Sequence, residues 1–434
     1  MKKVLVIAYY FPPMGMGGVQ RTAKFVRYLP EFGWEPTVLT VKPIHYYAHD
    51  KTLLDEVADR RIIRTDSMDP LRLQHLIKKM KRGSGSTESK SNNARPKMLD
   101  RLNFNLSPWL FIPDTKVPWV PWAIRHAKKL LKQEPFDLIF TTSPPHSVHL
   151  VGRQLKRQFN MPWVADFRDN WLAEAYEKLP TVFHRALNRQ MATNCVKDAD
   201  HVIAICEPIA SYLQELSCKQ STGFTVLPNG YDRSDFESAE SNDHSSKMII
   251  SYCGGLYPAG SPEPFFKGLA LAMEKEPALS KNMKVQFVGS INGIPMQELL
   301  QQYGLENIVT LKGYVPHDEN IHFLLSSDLL LLLISADSSP GIVTGKVFEY
   351  LASGKPVLGV VPEGEAAKLL REHQRGWVVH PDYAEKISEV LLEAFSLFLQ
   401  GRLSLKVDRW QSIAHLERYE QTRQLADLFE KTIV

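Results

Sequence analysis

Along the chain, short runs of apolar residues alternate with stretches whose apolar positions recur every three or four residues. The runs predict strands, the recurring positions predict amphipathic helices, and their alternation predicts βαβ units around parallel sheets. KVLVIAYY reads as a strand, GGVQRTAKFVRYLPEFG as a loop and helix stopped near Gly33, and PTVLTV as the next strand. FDLIFTT, the helix SVHLVGRQLKRQF, then PWVADF, HVIAI and FTVLP continue the series. The polar, acidic stretch DRSDFESAESNDHSSK interrupts it, and a second series begins with the strands MIISYCG, KVQFVG, NIVTLKG, LLLLLIS, KPVLGVV and GWVVH. Two series of similar length, divided near Asp235–Ser246, predict two doubly wound α/β domains. That count suits 434 residues at about 100–200 residues per domain.

Composition adds little to this picture, but the distribution of charge adds more. The formal net charge is +4, yet Leu71 to Pro135 holds 14 Lys/Arg against four Asp/Glu, a net of +10 that leaves −6 for the rest. The same window contains the low-complexity stretch GSGSTESKSNNARP, which predicts a mobile basic loop at about 78–100. The apolar and aromatic residues of SPWLFIP and VPWVPWAIRHAKKLL follow it. Basic residues beside exposed Trp and Phe would hold a protein on an anionic bilayer; a solvated loop followed by an ordinary core helix is the other reading. No recognised nucleic-acid motif accompanies the charge, so no nucleic-acid partner is expected. No apolar run approaches the roughly 18 residues of a membrane span, and the opening MKKVLVIAYYFPP is too short in its apolar part for a secretory signal. Cys195, Cys206, Cys218 and Cys253 show no metal-binding or disulfide spacing. The chain is expected in the cytoplasm, at most peripheral to the inner face of the plasma membrane.

In open α/β sheets ligands bind beyond the carboxyl ends of the strands, so candidate chemistry is sought where each strand hands over to its helix. The first handover, FPPMGMGGVQR, has glycines at 15, 17 and 18 ahead of a helix start. They let the backbone approach a ligand, and the free N–H groups behind them suit a phosphate; a tight loop with no ligand is the alternative. The segment misses the dinucleotide fingerprint, because the third glycine position is Gln20 and no acid ends PTVLTV. In the second domain Thr344, Gly345 and Lys346 precede or open a helix after LLLLLIS, where N–H groups and a lysine together can neutralise a diphosphate. Glu349 stands three residues on, on the same helix face, among apolar Val347, Phe348, Tyr350 and Leu351. It could accept both hydroxyls of a ribose, or be a surface glutamate paired with Lys346. In the first domain Ser143, His146 and His149 lie at one handover and Asp166, Arg168 and Asp169 at the next. Such a cluster suits sugar hydroxyls and a leaving phosphate, making His146, Arg168 and Asp169 the candidate catalytic residues. His149, on the apolar face, reads as structural. Arg168 paired with Asp169 or Asp166 could instead support the loop.

These segments together resemble a retaining glycosyltransferase of family 4 with the GT-B architecture. FPP…GGVQR…KFVRYLPEFGWEPTVLT, SPPHSVHL, PWVADFRDNW, LPNGYDRSDF, YCGGLY, VQFVGS, GYVPHDE and TGKVFEYLASGKPVLG follow one another in family order over nearly the whole chain. SPPHS and DFRDNW look most like the branch that builds bacterial surface polysaccharides. The resemblance implies two Rossmann-like domains facing across a cleft. Residues 1–236 would bind the acceptor, 237–408 the nucleotide-sugar, and a C-terminal helix within 409–434 would cross back to the first domain. It implies that Glu349 holds the ribose, that Lys346 and Thr344 meet the diphosphate, and that Gly17 and Gly18 close over it. Gly313, Tyr314 and Val315 fall where backbone groups usually hold the base. Three positions depart from the family pattern. The first glutamate of the usual pair is Gly341, only Lys267 follows YCGGLY as a phosphate candidate, and the family's N-domain histidine aligns nearer Thr142 than His146. The implied partners are a nucleotide-sugar donor and a lipid-linked or polysaccharide acceptor. No DxD element is present, so no metal and no further cofactor are expected. A non-catalytic sugar-nucleotide-binding partner protein and a GT-B sugar-nucleotide epimerase are the rival readings.

Overall fold

The computed structural model describes residues 1–15, 17–44, 49–83, 109–172, 179–217, 223–237, 246–339, 341–405 and 408–433. They form two compact units, one of Met1–Met14, Gly18–Pro228 and Thr422–Val434, the other of Gly15–Gly17 and Asn229–Gln421. In the first unit β1 (Lys2–Ile7), α1 (Gly17–Tyr28), β2 (Trp34–Val41) and β3 (Arg61–Thr65) are followed by α2 (Pro70–Gly83) and α3 (Val120–Gln133). Then come β4 (Leu138–Ser143), α4 (Val148–Phe159), β5 (Trp163–Phe167), α5 (Val182–Asp198), β6 (His201–Ala204), α6 (Glu207–Ser217) and β7 (Phe224–Val226). The seven strands pair in parallel in the order β3-β2-β1-β4-β5-β6-β7, with Val4 opposite both Pro36 and Leu138. β1 and β4 are central, and buried side chains pack on both sheet faces. That explains their near-continuous apolar runs.

The second unit contains β8 (Met248–Cys253), α7 (Glu263–Lys275), β9 (Met283–Val288), α8 (Met296–Tyr303), β10 (Val309–Gly313), α9 (His317–Leu325) and β11 (Leu329–Leu333). α10 (Lys346–Ser353), β12 (Val357–Val360), α11 (Glu365–Glu372), β13 (Gly376–Val379) and α12 (Ala384–Leu399) complete it. Its six parallel strands run β10-β9-β8-β11-β12-β13. All five leucines of β11 are buried, covered on both faces as a central strand requires. The last helix, α13 (Arg418–Ile433), returns to the first unit from Thr422 onward. There Leu425, Ala426 and Phe429 join Val4, Phe25, Trp34 and Phe140 in one core, with the Phe429 ring edge-on to Trp34 at 5.2 Å.

Three details differ from the pattern-based expectation. The units divide at Pro228/Asn229 rather than near Asp235–Ser246, because Tyr231 and Phe236 pack with Trp410 in the second unit's core. The stretch expected as a mobile loop begins as helix, through Gly83, and 84–100 lies outside the described residues. Of the aromatic run VPWVPW, Trp119 is fully buried, its indole N–H donating to Thr65 Oγ1 at 2.7 Å. Among the described residues no helix is long and apolar enough to cross a membrane.

Candidate functional site

In the second unit the ends of β8 and β9 come together through glycine. Gly254 has φ +117° and Gly289 φ +136°, and a Cβ on Gly289 would lie 2.2 Å from the Gly254 carbonyl oxygen. A Cβ on Gly254 would lie 2.4 Å from Cε of Lys346, so the lysine stem crosses the chain where a side chain is missing. Lys346 opens α10 and its Nζ stands 5.2 Å over the Tyr252 ring. Among the described residues it makes no ion pair. Tyr350 holds α10 to the sheet, its hydroxyl accepting from Cys253 N–H at 2.9 Å and reaching the Leu331 carbonyl at 3.2 Å.

The alternative of a surface Glu349 paired with Lys346 is therefore not what forms. Glu349 is buried, 9% exposed, and its Oε1 lies 3.9 Å from Nδ1 of His317. The other ring nitrogen of His317 is 2.9 Å from Oδ2 of Asp235, so this histidine sits between two carboxylates. His317 lies in the GYVPHDE segment but stood among no candidates, since only folding brings β10, the turn after it and α10 together. The Thr344 hydroxyl oxygen is buried with no hydrogen-bond partner, one residue from Gly345, where a Cβ would meet open space. Gly313 (φ +75°) and Tyr314 are exposed at the end of β10 and Val315 is half-buried. Lys267 is exposed on α7, and Gly341 lies in the turn before α10.

In the first unit the carboxyl edge is organised by a buried ion pair. Asp166, at the end of β5, receives two guanidinium N–H bonds from Arg21 of α1, at 3.0 and 3.2 Å, and the Thr142 hydroxyl at 2.8 Å. Both partners are fully buried, and the remaining Arg21 donors go to the carbonyls of Leu227 and Pro228. Asp166 is thus the partner of Arg21 and not of Arg168, which corrects one alternative left open by spacing. Arg168 instead donates to the backbone, to the Ser143 carbonyl at 2.5 Å and to the Gly18 carbonyl. Asp169 stands beside it. Burial raises the Asp169 carboxyl above the usual range, while the Arg168 charge pulls it down.

His146 and His149 are both buried. His146 stacks on Trp171, rings 5.0 Å apart and 9° from parallel, and burial pushes its pKa down to about 3. His149 stacks on Phe167 at 4.2 Å, and burial first, then its neighbours, the His146 imidazole and the Arg168 cation, keep it neutral as well. Thr141 Oγ1 accepts from Trp163 Nε1 at 2.8 Å and is hydrogen-bonded to His149 Nδ1, also at 2.8 Å. Asp114, preceding α3, fixes the turn between the two histidines by accepting from the Ser147 N–H and hydroxyl at 2.8 and 2.9 Å. Asp114 escaped the sequence reading because it lies in no strand-to-helix handover of its own, and Trp171 because its stacking on His146 forms only on folding. Gly17 and Gly18 are the first two residues of α1, and Gly18 is exposed with open space where a Cβ would be. So Thr344, Lys346 and Glu349 share one handover in the second unit. Gly18 at the start of α1, and His146, Arg168 and Asp169 in the loops after β4 and β5, follow adjacent strands of the first. Among the described residues no group of three or more His, Cys, Asp and Glu is placed to hold a metal ion.

Two family descriptions match in tandem. The Glycosyl transferase 4-like domain covers residues 16–230 and Glycosyl transferases group 1 covers 238–397. A protein of Escherichia coli (strain K12) that carries the name colanic acid biosynthesis glycosyltransferase WcaL is 29% identical over 271 residues, 58% of this chain. The chain spans 64% of that relative's length. Among solved structures, Anabaena Alr3699/HepE in complex with UDP-glucose superposes over 99% of this chain and all of its own, with a TM-score of 0.64 at 16% identity. WaaG, a glycosyltransferase involved in lipopolysaccharide biosynthesis, superposes over 99% and 98%, with a TM-score of 0.57 at 16% identity. With two Rossmann-like sheets of matching topology and both family descriptions in order along it, this chain belongs to the glycosyltransferases of GT-B fold.

Proposed function

We propose that the protein transfers a hexosyl group from a nucleotide-sugar to a lipid-linked or polysaccharide acceptor, with retention of anomeric configuration, in the assembly of cell-surface polysaccharide. One observation carries the reading. Lys346 is an ammonium with no anionic partner among the described residues, at the first turn of a helix and laid over Gly254. A nucleoside diphosphate supplies the missing counter-charge, and the helix N–H groups and the Thr344 hydroxyl add donors to it. Glu349, buried beside His317, accepts the ribose hydroxyls, and backbone groups of Gly313, Tyr314 and Val315 hold the base. In the transfer the bond from the anomeric carbon to the phosphate oxygen breaks, and the acceptor oxygen bonds on the same face. The acceptor proton passes to the departing phosphate oxygen. The protein's part is to orient both substrates and stabilise the leaving diphosphate, so no metal and no further cofactor are invoked. His146, neutral in its buried stack, acts in the first unit as a hydrogen-bonding group rather than a cation, beside Arg168 and Asp169. The relation to the E. coli chain named for colanic acid biosynthesis supports the polysaccharide setting.

Thermal unfolding in the presence of UDP, GDP, ADP, CMP and NAD tests the reading. A ligand at about 100 times its dissociation constant adds roughly 2.7 kcal/mol. That raises the midpoint of a domain of this size by several degrees. The expected result is a rise with one nucleoside diphosphate, followed by turnover of the matching sugar donor only when acceptor is added. Turnover without acceptor points to an epimerase, and no rise with any nucleotide to a partner protein without a donor site. Either outcome overturns the proposal.

A further inference from the structure

The first unit carries an apolar surface that the proposed donor and acceptor residues do not use. Trp109 is 55% exposed, Leu110 70%, and Val182 and Phe183 72% each. The two segments form one patch because His184 joins them. Its ring lies edge-on to Trp109 at 5.8 Å, its Nε2 is 3.4 Å from the Trp109 carbonyl oxygen, and the Phe183 ring is 6.2 Å away. Large apolar groups gathered on a surface mark a contact with something other than water.

Position and charge say what that something is. Val182 opens α5, the helix that follows β5, and Asp114, five residues after Trp109, is bonded to Ser147 in the turn after β4. The patch therefore borders the carboxyl edge of the sheet, where His146, Arg168 and Asp169 lie. Arg185 and Arg189 are exposed on the first two turns of α5, and the first acidic residue of that helix is Asp198, at its far end. We infer that this patch docks on an anionic lipid bilayer, with Trp109, Leu110, Val182 and Phe183 entering the interface and Arg185 and Arg189 meeting lipid phosphates. A second copy of the chain is the poorer occupant, since a two-fold contact would set the same arginines face to face. The inference rests on the reading that the acceptor is lipid-linked, for such docking presents a lipid head group to the acceptor edge. It keeps the SPWLFIP part of the membrane contact expected from the sequence, adds the start of α5, and drops Trp119 of the VPWVPW run, which is core.

Co-sedimentation of the full chain with phosphatidylcholine vesicles, with and without about one third phosphatidylglycerol, tests it. The expected result is binding to the anionic vesicles, weakened by salt, and reduced about 30-fold or more in Val182→Ser/Phe183→Ser. Trp109→Ser should show a smaller loss. Sedimentation velocity and thermal midpoints of the same variants check that they fold and whether they alter self-association. The inference is overturned if the wild-type chain stays in the supernatant, if the double variant binds as tightly, or if the patch substitutions dissolve a dimer instead. Nucleotide stabilisation is measured in parallel, so vesicle binding without any nucleotide effect would leave the docking surface standing and remove the transferase reading alone.

Discussion

The two units place the same kinds of residue, a cation and a carboxylate, at the strand-to-helix edge, and they use them in opposite ways. In the first unit Arg21 and Asp166 spend their charge on each other, both fully buried, with the spare guanidinium donors on backbone carbonyls. In the second, Lys346 and Glu349 share one helix face yet form no pair; the lysine lies over Gly254 and the glutamate faces His317. A closed pair contributes to the fold and has nothing left for a ligand. A separated pair offers an unmatched positive charge next to an acceptor of hydroxyl protons. A buried charge is therefore the better candidate for ligand binding when no partner closes on it, a sharper criterion than burial itself.

Breaking the closed pair should have the largest effect. Arg21→Met leaves the Asp166 carboxylate buried and uncompensated, and urea unfolding should report a loss of about 3–5 kcal/mol. Unchanged stability would mean that the pair does not hold the edge together. In the second unit the effect should fall on binding instead. Lys346→Met should weaken nucleoside diphosphate binding by about 10- to 100-fold, from the ~1.5–3 kcal/mol of a charged hydrogen bond. The ligand-free unfolding midpoint should scarcely move, and calorimetric titration that finds equal affinity in the variant would remove Lys346 from the site.

Acid sharpens the contrast further. His146 is neutral in the folded protein down to a pKa of about 3, whereas unfolded it titrates near 6.5. Below about pH 6.5 the unfolded chain takes up a proton that the folded one refuses. Stability should therefore be complete above that pH and fall by up to ~1.4 kcal/mol per pH unit, for each such histidine, toward pH 3. His146→Phe, which keeps a ring against Trp171, should reduce the slope between pH 6 and 4 by about one proton; an unaltered slope in equilibrium unfolding would contradict the buried, neutral state. The smallest effect is expected at Thr344. Thr344→Val removes a buried hydroxyl that has no protein partner, so ligand-free stability should stay level or rise slightly. Nucleotide affinity should still fall by a few-fold, and equal affinity would show that the hydroxyl does not face the ligand.

Much of this was legible in the chain itself. Strands such as LLLLLIS and KVLVIAYY are central and covered on both faces, so their apolar runs stand out, and the handover residues Thr344, Lys346 and Glu349 follow directly from them. β3 (RIIRT) was not, because an edge strand needs only a short apolar core and this one is bracketed by arginines. Hydrophobic periodicity and loop chemistry are local, and they determined the two parallel sheets and the positions where chemistry could sit. Which carboxylate meets which cation is a matter of contacts between residues far apart in the chain, 145 positions for Arg21 and Asp166. Only the tertiary structure decided that Arg21 closes on Asp166, that His317 stands beside Glu349, and that Trp119 enters the core while Trp109 and Phe183 share the surface. Pairing and burial depend on three-dimensional neighbours, which spacing along a chain does not specify.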